Sequence, residues 1–199
     1  MRLHDLPVPD SAAATAALEV ATEYCTPALL QHSVRSYLWA AAFARLRGMG
    51  VDDELLYVAA VLHDLGLVAP FDSHRIDFEH AGGHLAWVFG AAAGWPVPRR
   101  LRAGEVIVAH MADAVDPAVD PEGCALEAAT AFDISGRPIG LPAELVLDVL
   151  QAHPRYALAA EFTACFLDQA ERKPGSAAAA AVRSGIAERI AGNPLDVAG

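Results

Sequence analysis

A histidine–aspartate pair at the end of an apolar segment is the feature of this sequence with the clearest chemical potential. His63 and Asp64 follow the run LLYVAAVL and are followed at once by Leu65 and Gly66. A charged aspartate is costly to bury at the end of such a run unless it is paired or bound to a metal ion. Neutral histidine and ionised aspartate are both good ligands for zinc, iron or manganese. The pair therefore indicates a metal site at a helix edge, with a solvent-facing aspartate as the simpler alternative.

Four further segments carry residues that could act together with this pair. They are LQHSVRSY with His32 and Arg35, FEHAGGH with Glu79, His80 and His84, VIVAH with His110, and AFDISG with Asp133. Because these residues are spread over positions 32–133, the fold has to bring them together before they can form one site.

In their order and spacing, these motifs resemble the HD-domain superfamily of metal-dependent enzymes, and within it a branch similar to the cyanamide hydratases. The resemblance covers about residues 27–172 and includes the later segment PRYALAAEF. It implies an all-α HD-domain helical bundle that holds one or two divalent ions. Residue by residue, it implies metal ligands at His32, His63, Asp64 and Asp133, with Zn²⁺ favoured and Fe²⁺ as the alternative.

The resemblance also implies an activity, a metal-dependent hydratase that adds water to a small nitrile-type substrate such as cyanamide, giving urea. A bound divalent ion lowers the pKa of its water molecule and polarises the carbon–nitrogen triple bond. His110 and Glu79 are the candidate proton-transfer residues, because each lies in a motif expected to face the metal. Arg35 lies one turn after His32, where it could anchor an anion or Asp133. The structural alternatives are a hydrogen-bonded core histidine, a helix-dipole glutamate and a surface ion pair.

A second metal ion would change the predicted chemistry. A dinuclear iron oxygenase would hold that ion with His84, His110 and a bridging Asp64. The i, i+4 spacing of His80 and His84 places both side chains on one helix face, as such a site requires. The alternative for this pair is one solvent-facing histidine and one that makes a packing hydrogen bond. A regulatory module without catalysis is the non-enzymatic alternative.

Composition narrows the classes of partner. The 199 residues include 14 basic and 25 acidic side chains, a net charge of −11, which repels the phosphate backbone of nucleic acids. Leu67 stands where many HD phosphohydrolases have a lysine, so a nucleotide phosphohydrolase is disfavoured, although Arg35 could supply one phosphate contact. The same charge favours a small neutral or cationic substrate, unless a local basic pocket overrides it. Three isolated cysteines, no signal peptide and no apolar run of membrane-spanning length predict a cytoplasmic protein.

Helical signals dominate the chain, and alternating β-branched runs are nearly absent, so we predict one all-α domain over residues 1–199. The alanine-rich final helix offers a face for a homo-oligomer. Five aromatic residues are expected either in the core or around a small pocket, namely Phe71, Phe78, Trp87, Phe89 and Trp95. The predicted helices cover about residues 12–25, 27–47, 51–63, 77–94, 98–110, 121–133, 142–151, 154–172 and 176–191.

Overall fold

The computed structural model describes residues 1–196, and this part of the chain consists of α-helices and connecting loops, with no strand. The all-α fold predicted from the sequence is thereby confirmed. Within the same range, no helix combines the length and apolar character needed to cross a membrane. The helices are α1 Ala12–Tyr24, α2 Pro27–Arg47, α3 Asp53–Leu62, α4 Phe78–Ala92, α5 Val97–Ala109, α6 Pro121–Ser135, α7 Ala143–Ala152, α8 Leu158–Arg172, α9 Ala177–Arg183 and α10 Ile186–Ala191.

The longest helix, α2, begins and ends where its capping residues predict. The Thr26 side chain accepts a hydrogen bond from the backbone amide of Leu29, and Pro27 occupies the first helical position, where a missing amide costs no hydrogen bond. At the other end, Gly48 adopts a left-handed conformation with φ of 64°, which only glycine adopts without steric cost. These caps fix the position of His32 in the second turn of α2.

Two helices near the carboxyl end differ from the prediction. The single helix expected over residues 176–191 is divided into α9 and α10, because Gly185 has a positive φ of 80° and turns the chain between them. The helix expected from residue 154 begins only at Leu158, because Tyr156 also has a positive φ, 51°, and interrupts the turn before it. The break at Gly185 allows α10 to pack against both α6 and α8.

The core is built around α2 and α3. Both helices are buried over most of their length, and Tyr37 and Trp39 of α2 are fully inaccessible to solvent. Helix α2 packs against α3 and α6, while α3 also packs against α1 and α5. A second apolar cluster joins Phe162 and Phe166 of α8 to Phe78 of α4 and Ile190 of α10. The end of α3 therefore lies between the two clusters.

Glycine allows α4 to lie directly against the end of α3. A Cβ atom at Gly82 would lie 2.7 Å from the backbone carbonyl oxygen of His63, a distance that side chains do not tolerate. A Cβ atom at Gly66, in the 3₁₀ turn Leu65–Leu67, would likewise lie too close to the backbone carbonyl oxygen of Phe78. The turn that carries the histidine–aspartate pair is therefore held between α3 and α4.

Candidate metal centre

Three helices bring four buried side chains together. His32 lies in α2, His63 and Asp64 directly follow α3, and His110 directly follows α5; each is at most 6% exposed. One ligand atom from each of His32, His63 and Asp64 lies within 4.8 Å of the others. The Nε2 atom of His110 lies 3.9 Å from Oδ1 of Asp64. The histidines expected near the aspartate from the sequence are thus assembled around it.

Hydrogen bonds on the far side of each ring orient the three histidines. The Nδ1 atom of His63 lies 2.7 Å from the backbone oxygen of Ala60, and that of His110 contacts the backbone oxygen of Ile107. Because a carbonyl oxygen only accepts hydrogen bonds, Nδ1 carries the proton in both rings. His32 donates from Nδ1 to a carboxylate oxygen 2.7 Å away. In the neutral rings the Nε2 lone pairs therefore remain available on the side of Asp64.

The polar atoms that face the centre have no hydrogen-bond partner among the described residues. They are Nε2 of His32, Nε2 of His63 and both carboxylate oxygens of Asp64. Oδ2 of Asp64 lies 3.3 Å from Nε2 of His32 and 3.1 Å from Nε2 of His63. Buried polar atoms are costly when unpaired, and one cation would satisfy all four atoms at once. Imidazole nitrogen and carboxylate oxygen are the donor set of zinc and ferrous iron sites, so the residues present fit a divalent metal.

The electrostatic field of the site also favours a cation. Burial opposes ionisation of Asp64, but His63 and His32 outweigh burial and hold the pKa of this carboxyl group well below its usual value. Burial lowers the pKa of His32, but its two carboxylate neighbours outweigh burial and raise it. Burial lowers the pKa of His110 to about 3, with a further contribution from the His63 ring. At neutral pH, Asp64 is therefore ionised and the His110 beside it is neutral.

Asp133 does not join the cluster of His32, His63 and Asp64, although the sequence motif implied that it would. Its carboxylate lies on the opposite side of the His32 ring, where Oδ2 accepts from His32 Nδ1 at 2.7 Å. Arg35 binds the same carboxylate through Nε at 2.9 Å and Nη2 at 2.8 Å, and Trp39 Nε1 donates to Oδ1 at 3.0 Å. Both oxygens are thus occupied by donors from α2, which leaves Asp133 placed to orient His32.

Two residues that were not among the candidate site residues hold the end of α6, and with it Asp133. Arg155 donates to the backbone oxygen of Asp133 at 2.7 Å and forms an ion pair with Asp196. Asn193 donates from Nδ2 to the backbone oxygens of Asp133 and Ile134 at 2.8 and 3.0 Å. Arg155 lies within the segment PRYALAAEF, so its position was part of the family signal, whereas Asn193 had no sequence signal at all.

The remaining candidate catalytic residues lie away from the centre. Arg35 is fully buried and, besides Asp133, contacts the backbone oxygens of His153 and Pro154, so it anchors the aspartate and does not face a substrate. Glu79 is buried with Oε2 unpaired among the described residues, and it is absent from the wall of the cavity beside the histidines. Of the two alternatives for Arg35, the structure thus shows the one in which it anchors Asp133, whereas Glu79 does not face the cavity as its proposed role in proton transfer requires.

The second metal site expected from His84 is not assembled either. Gly82 faces the end of α3, and two residues further along a helix correspond to a rotation of about 200°. His84 therefore points to the outer face of α4, where it and His80 are exposed. Both line a shallow groove between α4 and α5, together with Trp87 and Glu105.

A cavity of about 540 Å³ opens beside the three histidine rings. Phe162 and Phe166 of α8 and Ile134 of α6 form apolar walls close to the rings. Of the two alternatives for the five aromatic residues, core or pocket wall, the structure favours the core, because none of them lines this cavity and Phe78 and Trp95 are buried. The i, i+4 spacing of Phe162 and Phe166 was the available signal for the cavity wall. The other lining residues are Met111, Ala112, Thr130, Ala131, Ser135, Gly136, Arg137, Pro138, Ala181, Ile186 and Arg189.

The fold and the buried histidine–aspartate centre correspond to a known class of proteins. A model of the HD domain family matches residues 29–154, so the chain belongs to that family, which consists of metal-dependent enzymes. Two relatives from Saccharomyces cerevisiae (strain ATCC 204508 / S288c), cyanamide hydratase DDI2 and cyanamide hydratase DDI3, are each 32% identical over 94 residues. The matched stretch is 45% of this chain and 42% of each relative, so less than half of either relative is covered. The resemblance predicted from the sequence motifs is confirmed.

Proposed function

We propose that this protein is a metal-dependent hydratase that adds water to the carbon–nitrogen triple bond of a nitrile-type substrate such as cyanamide. The observation that carries the proposal is the set of four unpaired buried atoms on His32, His63 and Asp64 at the end of a cavity. The names of the two yeast relatives support the choice of reaction. In the proposed reaction one water molecule and cyanamide give urea, so no oxidant, reductant or phosphate is needed.

Each residue of the centre has a proposed role. A divalent ion held by His32, His63 and Asp64, with Zn²⁺ favoured over Fe²⁺, would supply Lewis acidity and a water molecule of lowered pKa. Asp133 keeps the proton of His32 on Nδ1, so that Nε2 stays directed at the centre. His110 accepts a proton at Nε2 from the attacking water and returns it to the substrate nitrogen. The buried rings and the apolar walls offer few polar groups that could bind further water beside the reacting carbon.

Metal content and activity test this proposal together. Elemental analysis of protein purified without added metal should give one equivalent of zinc or iron, and the protein should convert cyanamide to urea. Asp64→Ala should lose the metal and at least 100-fold in activity, because the carboxylate is the one charged group in the donor set.

His84→Ala is the matched control, since His84 is exposed on the outer face of α4 and should retain both metal and activity. Two equivalents of iron that fall to one in His84→Ala would favour the dinuclear oxygenase instead. A protein that binds no metal after reconstitution would contradict every enzyme class considered above.

A further inference from the structure

The cavity is much larger than cyanamide requires. At about 30 Å³ for each water-sized group, the three heavy atoms of cyanamide fill about 90 Å³. The cavity holds about 540 Å³, within the range of about 300–1,000 Å³ that is typical of sites for larger organic ligands. A substrate as small as cyanamide would leave most of this volume to water and would touch few of its walls.

The walls beyond the histidines have a defined chemistry. Phe162 and Phe166 present rings whose centroids are 4.7 Å apart, and the Phe162 ring also packs against His32 at 5.5 Å. Met111, Ile134 and Ile186 add further apolar surface. Because aromatic faces and edges favour other rings at such distances, this wall suits an aromatic or similarly flat apolar group.

The same cavity also carries positive charge at its solvent-exposed part. Arg137 is neutralised by Glu127, with Nη1 and Nη2 lying 2.7 and 2.8 Å from its two carboxylate oxygens. Arg189 instead donates to the backbone oxygen and to the side-chain oxygen of Ser184, at 2.6 and 3.2 Å. Within residues 1–196, no carboxylate oxygen lies within 4 Å of its guanidinium nitrogens. In a chain with a net charge of −11, an arginine without a carboxylate partner at a cavity is a ready site for an anionic group.

Several residues that would select a substrate lie outside the part of the chain that the family model matches. The family match covers residues 29–154, which include all of the histidines and aspartates of the centre. Helices α8, α9 and α10 lie beyond it and contribute Phe162, Ala181, Ile186 and Arg189 to the cavity. The matched part thus supplies the reacting groups and part of the walls, such as Ile134, whereas α8, α9 and α10 supply the rest of the walls.

Resting on the hydratase activity proposed above, we infer that the substrate is a larger nitrile with an aromatic or flat apolar body and an anionic group. The body packs against Phe162 and Phe166, the anionic group binds Arg189, and the nitrile carbon faces His110. The oxygen of water bonds to that carbon, both π bonds between carbon and nitrogen are lost, a carbonyl forms, and both protons of water end on nitrogen. The product is the corresponding amide.

A pair of probes that share the phenylacetonitrile body and differ in one para-carboxylate group tests the charge preference. We would compare phenylacetonitrile with its para-carboxylate as substrates of the metal-loaded protein. The carboxylate should have the higher kcat/KM, and Arg189→Ala should lower the ratio of the two values about 3- to 10-fold, mainly through KM. Arg183→Ala is the matched control, because Arg183 is an exposed arginine of α9 that contacts the Pro174 backbone oxygen and does not line the cavity. An unchanged ratio in Arg189→Ala would overturn the assignment of the anionic group.

A second variant tests the size preference. Ala181→Phe should fill part of the cavity and lower kcat/KM for phenylacetonitrile relative to cyanamide by about 10-fold, with metal content unchanged. Calorimetric titration with the para-carboxylate separates this inference from the proposed function. If the para-carboxylate bound more weakly to Arg189→Ala but no nitrile were converted, the hydratase activity would be rejected and the proposed ligand class would stand. Turnover of cyanamide without binding of either larger probe would keep the hydratase and reject the ligand class.

Discussion

Two buried aspartates touch the same histidine from opposite sides, and their surroundings differ completely. Asp64 lies at Nε2 of His32, and neither of its oxygens has a hydrogen-bond partner among the described residues. Asp133 lies at Nδ1, and its carboxylate receives hydrogen bonds from Arg35, Trp39 and His32. A carboxylate with all its acceptor positions filled is a structural element, whereas one with none filled is prepared for a ligand.

Because of this difference, we expect changes at Asp64 and at Asp133 to affect different properties of the protein. Within residues 1–196, the groups that neutralise Asp64 directly are the neighbouring histidines, so its loss should be felt mainly in metal binding. Asp133 is ionised because Arg35 lies against it, and Arg35 and His32 then hold its pKa far below the usual value in spite of burial. Removing Arg35 takes away the nearer of the two guanidinium groups beside this buried charge, so the loss should be felt in stability.

The largest expected effect is on the free energy of unfolding of Arg35→Met. The variant keeps the volume of the side chain but removes the guanidinium that binds both oxygens of the buried Asp133 carboxylate. Arg155, 3.3 Å from Oδ1, is then its guanidinium partner, and the change should cost about 3–5 kcal/mol. Urea denaturation followed by circular dichroism measures this loss. Trp39→Phe is the control, since it removes a single neutral donor to the same carboxylate and should cost about 1–3 kcal/mol. Equal losses in the two variants would show that the ion pair is not what holds Asp133.

A smaller effect is expected on the metal affinity of Asp133→Asn. Asparagine can still accept the hydrogen bond from His32 but carries no charge, so it should weaken metal binding about 10–100-fold through the orientation and basicity of the ring. Competition with a chelator of known affinity measures the change, and Asp64→Asn measured beside it should lose far more. If both variants lost the metal to the same extent, Asp133 would be a ligand, as the sequence motif implied.

The sequence predicted those parts of this centre that depend only on where a residue lies along its own helix. His63 and Asp64 are adjacent and end an apolar helix, and His32 and His110 lie in motifs that converge on them, so their assembly could be expected. The role of Asp133 depends on Arg35 and Trp39, which follow His32 by three and seven positions and therefore share its helix face. That spacing favoured an anchored carboxylate, but family resemblance alone suggested a ligand.

The carboxyl-terminal part of the chain was harder to predict for a physical reason. An alanine-rich stretch predicts helix by propensity, and a single glycine within it costs only about 1 kcal/mol. Whether Gly185 continues the helix or turns it is therefore decided by tertiary packing of α10 against α6 and α8. The cavity walls formed by Ala181 and Ile186 depend on that turn, and no local pattern in the sequence could have placed them.

Glu79 provides a third buried carboxylate, which tests whether an unpaired oxygen alone is enough to indicate function. Its Oε2 has no partner in the described part of the chain, as for Asp64, but no histidine cluster surrounds it. Burial raises the pKa of Glu79 above its ordinary value, with a smaller contribution from Asp77. The folded state then binds the proton more tightly than the unfolded state, so stability falls as the pH rises from the unfolded pKa through the folded one.

Glu79→Gln should therefore melt at a higher temperature than the wild type at pH 8 and at nearly the same temperature at pH 4, while metal content and activity are kept. Thermal denaturation across this pH range measures the difference, and Glu19→Gln, at an exposed position of α1, is the control that should show no such trend. Loss of turnover in Glu79→Gln with unchanged metal content would instead show that Glu79 takes part in the reaction. In that case an unpaired buried oxygen would indicate function at Glu79 as it does at Asp64, and the cavity wall would have to open towards α4 during turnover.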